Sequence, residues 1–579
     1  MTSSECPGGI SLGLERIVRF LEKTLPSDPR AKLRVVHVAG TNGKGSVCAL
    51  VSEALAAAGY KVGTFNSPHF LEPNDAVRIQ GTPIPAAEYA ELREWIRELD
   101  AKAQSTAGPL SSFEQVTVSA LWWFAQNSVD IAVVEVGLGG LRDATNVFGT
   151  PDGRNAMGVG KSLVQCICPV DEDHLGMIGN NVEEIASEKA GIMRPGSWIV
   201  IANQDRVDAF HRIRQIAHRV SPGRIINVRR QPTYDMHVPN FSIGQDGNSV
   251  SSALRPPAVL PSWASFKGTG KRCLRAKYPP SLDTYIKSSH ASPRPRDAAQ
   301  AQAEATDTES PPVKVEVALP LELPGYYQAG NASVAFYALD VLRTQFGFGK
   351  LTDAAIQIGF QNVRWPGRLS WLSLASRRAK GSGSLTPASP VDAAGNDVSG
   401  SESQGSGYNG SDGGAPGGNE SLDSWILVDG AHNSPAAVEL RKYVDTTLRR
   451  VAQQRYIRGT RSRDSKSMPG VRWIVGFSQG KDIGAILERL VRPGDALWIV
   501  PFSQPKEMPW IECESSGRII AATSKGIAAL DNVVVEMFDH LADAVDRLAA
   551  GTSDSFLNVV CGSLYLAADL YRELQVQPF

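Results

Sequence analysis

The stretch Arg34-Val-Val-His-Val-Ala-Gly-Thr-Asn-Gly-Lys-Gly-Ser46 decides the fold. Arg34 to Val38 is a short β-branched run, the pattern of a buried strand. Gly40 and Gly43 let the backbone turn tightly behind it. Val47 to Ala58, rich in Ala and Leu and followed by Gly59, is a helix with a glycine stop. Strand, glycine-rich loop and helix together present backbone N–H groups and a positive helix end to an anion. Lys44 adds a point charge that reaches phosphates, and Ser46 a hydroxyl for a phosphate or a metal. The spacing departs from the common G-x-x-x-x-G-K-[ST] pattern, because Gly45 stands between Lys44 and the hydroxyl residue. An ordinary glycine-rich turn would not combine the strand before, the helix after, the Lys and the Ser. The loop points to ATP.

Outward from this unit the pattern repeats. Leu14, Ile17, Val18, Leu21 and Leu25 recur at helical spacing. Tyr60–Phe65, Asp130–Val136, Ser162–Cys168 and Trp198–Ile201 are expected strands, and Phe113–Ala125 and Val182–Ala190 helices. Strands alternating with helices imply parallel pairing. The fold class is therefore α/β, with an N-terminal P-loop-type, doubly wound, mostly parallel sheet. Residues from about 230 to 312, rich in Pro, Ser and charge, are expected to be an insertion partly ordered around Phe241 and Trp263. Residues from about 376 to 421, dominated by Gly, Ser, Asp and Asn, are expected to be a disordered loop, since they cannot bury enough apolar surface to offset ordering entropy. The pattern then resumes: strands at Trp425–Val428, Val471–Val475, Ala496–Val500, Val533–Met537 and Phe556–Val560, and helices at Ser434–Thr447, Ile483–Val491, Leu541–Ala550 and Leu564–Leu574. This is a second, smaller α/β (Rossmann-like) domain. Trp365-Pro366-Gly367 interrupts a helical pattern, so the division is placed at residues 1–362 and 363–579.

The bulk numbers fit this reading. A chain of 579 residues exceeds one compact domain, and 42% apolar residues supply a sizeable core. With 59 basic and 60 acidic residues the net charge is −1, which gives no reason to expect nucleic acid or an anionic membrane. No apolar run approaches the ~18 residues that span a bilayer. Met1 to Gly9 has no signal or transit-peptide character. A cytoplasmic protein is expected, with mitochondrial sharing open and a monomer as the default. Seven scattered cysteines fit reduced, intracellular usage. Cys166 and Cys168 are expected on opposite faces of a strand, as core thiols and not a zinc site.

Further candidates lie at strand ends, where ligands bind in open α/β sheets. Glu135 ends an apolar strand, with Asp143 beyond Gly137-Leu-Gly-Gly140, and an acid there can bind Mg²⁺. Asp171-Glu-Asp173-His174 follows another strand, with Glu188-Lys189 on the next helix, and suits a second metal position. Gln328, Asn331, Arg368, Asp429 and His432 each stand near an element boundary. Singly, such residues are more often caps or turn residues than ligand contacts.

Taken in order, these residues resemble the folylpolyglutamate synthase and dihydrofolate synthase family, within the Mur-ligase-like ATP-dependent amide-bond-forming enzymes. The resemblance rests on Ile10-Ser-Leu-Gly-Leu-Glu-Arg16, Val38 to Ser46, Ser67-Pro-His69, Phe113-Glu114, Glu135 to Gly140 with Asp143-Ala-Thr-Asn146, Asp173-His174, Glu188-Lys-Ala-Gly-Ile192, Asn331-Ala332, Trp365-Pro-Gly-Arg368, Asp429-Gly-Ala-His-Asn433 and Cys561-Gly-Ser-Leu-Tyr565. It implies a Mur-ligase central-type ATPase domain followed by a Mur-ligase C-terminal domain, with ATP between them. It implies that Thr41, Asn42, Gly43, Lys44, Gly45 and Ser46 cradle ATP, joined by Asn331, Arg368 and Asp429, with His432 close by. Ser67 and Glu135 would hold one Mg²⁺, and Glu135, His174 and a carbamylated Lys189 a second. Lys44, Glu135, His174 and Lys189 would carry the chemistry. Ile10, Ser11, Leu12, Phe113, Glu114, Arg142, Asp143 and Ala144 would contact the pterin-bearing substrate.

Three departures stand out. The usual Gly-Gly-Arg-Leu-Asp is here Gly139-Gly140-Leu141-Arg142-Asp143. Tyr327 replaces the His that often precedes the Gln of the Asn331 motif, and one extra residue precedes Pro435. The opening Ile10-Ser-Leu, Asn42, and Pro501-Phe-Ser-Gln-Pro505 with Met508-Pro-Trp510 resemble the fungal-type dihydrofolate synthases, which join glutamate to dihydropteroate in folate biosynthesis. Extension of a folate glutamate tail, or both activities, is the alternative. A dinucleotide-dependent oxidoreductase is disfavoured by Lys44 and the acids near Glu135, and a non-catalytic ATP-binding protein by the retained Lys44, Glu135, His174, Lys189 and Arg368.

Overall fold

The computed structural model describes residues 12–24, 33–103, 107–152, 159–173, 175–228, 232–233, 273–277, 316–320, 323–325, 327–374, 425–449, 470–526, 533–551 and 556–579. The first sheet contains β1 (Arg34–Ala39), β2 (Val62–Phe65), β3 (Val77–Ile79), β4 (Thr82–Pro83), β5 (Ile131–Glu135), β6 (Phe148–Gly149), β7 (Val159–Ile167), β8 (Trp198–Ile201) and β9 (Ile225–Asn227). Their order is β4-β3-β2-β5-β1-β7-β8-β9, with β6 beside β7. Pairing is parallel from β2 to β9, and β3 and β4 extend the edge antiparallel. The doubly wound, mostly parallel α/β class expected from the sequence is the one observed.

Alternation along each strand feeds two cores. Val36 and Val38 face the helices Lys44–Ala57, Tyr327–Gln345 and Asp353–Asn362, where Leu50, Leu339 and Phe360 are buried. Val35, Ala132 and Val134 face the helices Glu15–Thr24, Ala86–Ala103 and Ser112–Gln126. Ala39 and Ile199 face Val182–Ala190 and Val207–Val220 on the same side. Each fully buried Leu or Val contributes about 1.5–3 kcal/mol. Cys166 and Cys168 share the face of Val164, in contact with the helix that follows the phosphate loop. This corrects the expectation of opposite faces: residues two apart on a strand point the same way. Both are buried free thiols.

Within the region expected as an insertion, β10 (Pro232–Thr233) and β11 (Cys273–Lys277) pair antiparallel, and β12 (Glu316–Pro320) completes a three-stranded sheet. Phe241, Trp263 and residues 376–421 lie outside the described residues.

The remaining strands form a six-stranded sheet: β13 (Ser370–Ser373), β14 (Trp425–Val428), β15 (Val471–Val475), β16 (Ala496–Ile499), β17 (Val534–Met537) and β18 (Leu557–Cys561), in the order β13-β14-β18-β15-β16-β17. Only β13 runs antiparallel to its neighbour. The helices Ser434–Tyr443, Ile483–Leu490 and Ser516–Gly526 cover one face, and Leu541–Ala549 and Leu564–Glu573 the other. Val363 packs with the first sheet and Leu369 with the second. Among the described residues, no helix is long and apolar enough to cross a membrane.

Candidate active site

Strand β1 is flanked by β5 and β7, and the chain leaves the carboxyl ends of all three at one crevice. The phosphate loop occupies it because only glycine fits. Gly40 has φ 150°, and a Cβ there would lie 2.5 Å from Cys168 Cβ. Gly43 caps the helix at φ 93°, where a Cβ would meet Asn331 Oδ1 at 2.3 Å. No side chain caps this helix and no acid occupies its first turn, so its leading N–H groups and positive end favour an anion. Thr41 and Asn42 donate their N–H groups to Pro169 O (2.9 and 3.3 Å), which anchors the loop to the segment after β7. Lys44 Nζ lies over the loop, donating to Gly40 O (3.1 Å) and Thr41 O (3.3 Å).

Glu135, at the end of β5, is buried. Asn66 Nδ2 donates to its Oε2 at 2.8 Å, and the Ser67 N–H also points at the carboxylate. Burial pushes the Glu135 carboxyl above its ordinary range, while Lys44, the Asn66 bond and Arg368 pull it back. Ser67 Oγ is buried with no partner beside it. Lys189 is buried too, and its Nζ donates to Gly40 O at 3.0 Å. Burial, with Lys44 adding repulsion, lowers its pKa to about 7. Gly40, Lys44, Gly137, Asp173 and Lys189 line one pocket. His174, expected here, lies outside the described residues. Among the described residues, no three His, Cys, Asp or Glu side chains gather as a metal site. Oxygen donors at these strand ends include the Ser67 hydroxyl and the Glu135 carboxylate, and Asp173 lines the pocket beside Lys189.

The second sheet delivers its share from the ends of β14 and β15. Asp429 Oδ2 accepts from Leu369 N at 3.0 Å, and burial raises its carboxyl while Arg368 opposes the shift. His432 Nδ1 lies 2.8 Å from Gly430 O, and burial, then Lys481 and Arg368, lower its pKa to about 4. An imidazole so placed is neutral and donates through Nδ1. Polar links from this domain reach the loops of the first sheet here: Asn433 Nδ2 donates to Asn42 Oδ1 (3.2 Å) and Lys481 Nζ to Asp173 Oδ1 (3.4 Å). Asn331 Nδ2 donates to Gln328 Oε1 at 2.9 Å, beneath Gly43.

The residues expected to contact a pterin divide. Phe113 stacks on Phe65 with ring centroids 6.1 Å apart and leaves Gly137 no room for a Cβ. Glu114 is buried, accepting from Arg16 Nε (2.8 Å) and Ser111 N (2.7 Å) through Oε2, while Oε1 has no partner. Asp143 is engaged within the fold: it accepts from Leu138 N, Thr145 N and Thr145 Oγ1, holding the Gly137–Gly140 turn. Leu12 and Ala144 are buried, and Ile10 and Ser11 lie outside the described residues. In the exchanged pair, Leu141 is 51% exposed and Arg142 bonds Glu188 Oε2 at 3.2 Å.

Sequence reasoning passed over Asn66, Arg78 and Lys481. Lys481 had a signal, a Lys-Asp pair just past the end of an apolar strand. Asn66 and Arg78 had none.

Residues 418–573 match a family model described as "Dihydrofolate synthetase, C-terminal domain". Over 568 residues the chain is 28% identical to a "Probable dihydrofolate synthetase" of Schizosaccharomyces pombe, covering 98% of this chain and 99% of that one. It is 26% identical to the "Dihydrofolate synthetase" of Saccharomyces cerevisiae, covering 97% and 98%. Among solved structures, a bifunctional folylpolyglutamate synthase/dihydrofolate synthase of Yersinia pestis, complexed with AMPPNP and Mn ion, superposes with a TM-score of 0.56 at 22% identity. That match covers 98% of this chain and 94% of the other and speaks for the fold.

Proposed function

Because the chain belongs to the folylpolyglutamate synthase and dihydrofolate synthase family, we propose that it is an ATP- and Mg²⁺-dependent ligase that joins L-glutamate to 7,8-dihydropteroate. The observation that carries this reading is the convergence of an uncapped helix N-terminus with Lys44, a buried Glu135 and a buried Lys189 on one crevice, faced by Arg368, Asp429 and His432 from the second sheet. The choice of dihydropteroate follows the full-length likeness to the fungal proteins.

The reaction balances in three steps. A dihydropteroate carboxylate oxygen attacks the γ-phosphorus of ATP, ADP leaves, and an acyl phosphate forms. The free amine of glutamate attacks the acyl carbon. The tetrahedral adduct loses phosphate and a proton, leaving the amide. A carboxylate must approach a polyanion, so the protein's task is electrostatic. Lys44 leaves the carbonyls of Gly40 and Thr41 to meet the phosphates. The N–H groups from Gly43 to Ser46 take the phosphate oxygens. Contacts such as Asn433 with Asn42 and Lys481 with Asp173 close the cleft and keep water from the acyl phosphate.

Ser67 and Glu135 fit a divalent cation, since Ser67 Oγ is a buried oxygen without a partner next to a buried carboxylate. Mg²⁺ bound there would neutralise charge on the transferred phosphoryl group. We assign a second position to Glu135, His174 and Lys189. A lysine with a pKa of about 7 is close to half free amine at neutral pH, far more than an ordinary lysine, and so is able to add CO₂ as a carbamate, which exchanges a cation for an anionic oxygen donor. Phe113, Glu114 and Arg142 are assigned to the pterin side, Asn331, Arg368, Asp429 and His432 to the nucleotide. A cytoplasmic monomer completes the reading.

The test is ADP release with dihydropteroate plus glutamate, compared with tetrahydrofolate plus glutamate. Release with the first pair alone supports a dihydrofolate synthase. Release with the second alone assigns tail extension, and release with both a bifunctional enzyme. Silence with both overturns the ligase.

A further inference from the structure

Glu135 is held by a buried chain that no motif contains. Asn66 and Arg78 are 3% and 5% exposed. Arg78 Nη2 donates to Asn66 Oδ1, and Nη1 donates to Asp75 O at 2.7 Å. A guanidinium has only donors, so it dictates which end of the Asn66 amide faces it. The amide nitrogen is thereby turned to Glu135 Oε2. That carboxylate oxygen is committed, and with the Ser67 N–H also directed at the carboxylate the orientation of Glu135 is fixed. With Asn66 unheld, its amide could flip and set oxygen against oxygen.

Arg78 is itself clamped from two sides. Its guanidinium lies 4.3 Å from the ring centre of Phe579 and 5.5 Å from that of Trp365. Phe579 follows the last helix of the second sheet, and Trp365 lies in the segment that joins the two sheets and packs on Gly45 of the phosphate loop. Such stacking suits arginine, whose planar cation is weakly hydrated. The clamp exists only while the two halves of the chain stand as they do here.

We propose that Arg78 and Asn66 are positioning residues for Glu135, and that Phe579 ties this positioning to the docking of the second domain. The proposal rests on the reading of Glu135 as a metal ligand. It assigns Arg78 and Asn66 no contact with substrate. They act by fixing the orientation of the Glu135 carboxylate through its Oε2.

The test is Mn²⁺ binding to the full-length protein in the presence of AMPPNP, followed by the electron paramagnetic resonance signal of free Mn²⁺, alongside thermal melts. E135Q is the reference and should abolish or severely weaken binding. N66A and R78K should weaken Mn²⁺ binding about tenfold, the usual scale for groups that orient a ligand. F579A, at a position 41% exposed, should weaken it by a smaller factor and melt like the parent. N66A or R78K with parental Mn²⁺ affinity, beside a crippled E135Q, overturns the positioning role and leaves the Glu135 reading standing. Parental affinity in E135Q overturns both. Should R78K fail to fold, N66A and F579A decide: parental affinity in both overturns the proposal.

Discussion

Gly45 lies against the indole of Trp365, so close that a Cβ on Gly45 would stand 2.5 Å from Trp365 Cζ2. The contact gives the irregular spacing of the phosphate loop a physical cause. The ring occupies the space that a side chain between Lys44 and Ser46 would need. G45A should therefore force the ring or the loop to move, costing about 1–3 kcal/mol as overpacking does. ATP affinity should fall with stability, and W365L in the same chain should restore part of both. Parental ATP binding and melting in G45A would remove Trp365 as the reason for the glycine.

Among the described residues, Lys44 Nζ makes its hydrogen bonds only to Gly40 O and Thr41 O in its own loop. Its removal costs the fold little and the transition state much. K44A should retain the parental melting temperature within a few degrees while turnover falls roughly 10²–10³-fold, the scale for removing one group that stabilises developing charge. Steady-state ADP release and a thermal melt check both halves. Near-normal turnover would refute the phosphate role.

Much of this site was legible because β1, its loop and its helix are contiguous, and because strand periodicity locates the carboxyl ends where Glu135 and Asp429 stand. Trp198–Ile201, Trp425–Val428 and Val471–Val475 have the bounds that the sequence suggested, being short apolar runs buried along their whole length. The helix Tyr327–Gln345 was missed because polar residues such as Gln328, Asn331 and Ser333 are buried among its apolar ones, so no apolar stripe stands against a polar face. β3 and β4 are too short for any period to register. Arg368, Asp429 and His432 could be joined to the loop only through the family resemblance, since their convergence depends on how two sheets dock. Asn66 and Arg78 are buried polar residues whose roles exist only in their partners.

Lys189 should leave a pH signature in stability. Its folded pKa is about 7 against an ordinary 10.5, with burial the main cause. Between those values the unfolded chain binds the proton and the folded protein does not, so this residue makes stability rise with pH across that window. Below pH 7 it destabilises the fold in full. K189M should be more stable than the parent at pH 6, and the gap should narrow steadily by pH 9. Melts of both proteins in CO₂-free buffer measure it. A gap independent of pH would show that the amine is not perturbed.

His432 offers a second titration. Burial is the largest cause of its pKa of about 4, and Lys481 the next. K481M removes that cation and leaves the burial, so the imidazole should titrate higher but still below the ordinary 6.5. The ring proton shifts of His432 in an NMR titration report it directly. The same variant breaks the 3.4 Å link to Asp173 and should raise the KM for substrates more than it lowers kcat, because it loosens closure. A His432 pKa unmoved by K481M would place Lys481 farther from the ring than the structure does.

The segment between β13 and β14 should be dispensable. These strands pair antiparallel with Ser373 opposite Trp425, so the chain leaves and re-enters at neighbouring positions. Whatever the intervening residues do, their ends are already joined by the sheet. Deleting residues 380–420 shortens the connection roughly fivefold and should lower the closure entropy by about 1.4 kcal/mol. The shortened protein should melt at or slightly above the parental temperature and release ADP at a near-parental rate. Trp371 and Trp425, both buried beside this connection, should keep their fluorescence. A collapse of activity with an intact melt would assign the segment a role in catalysis that composition does not express.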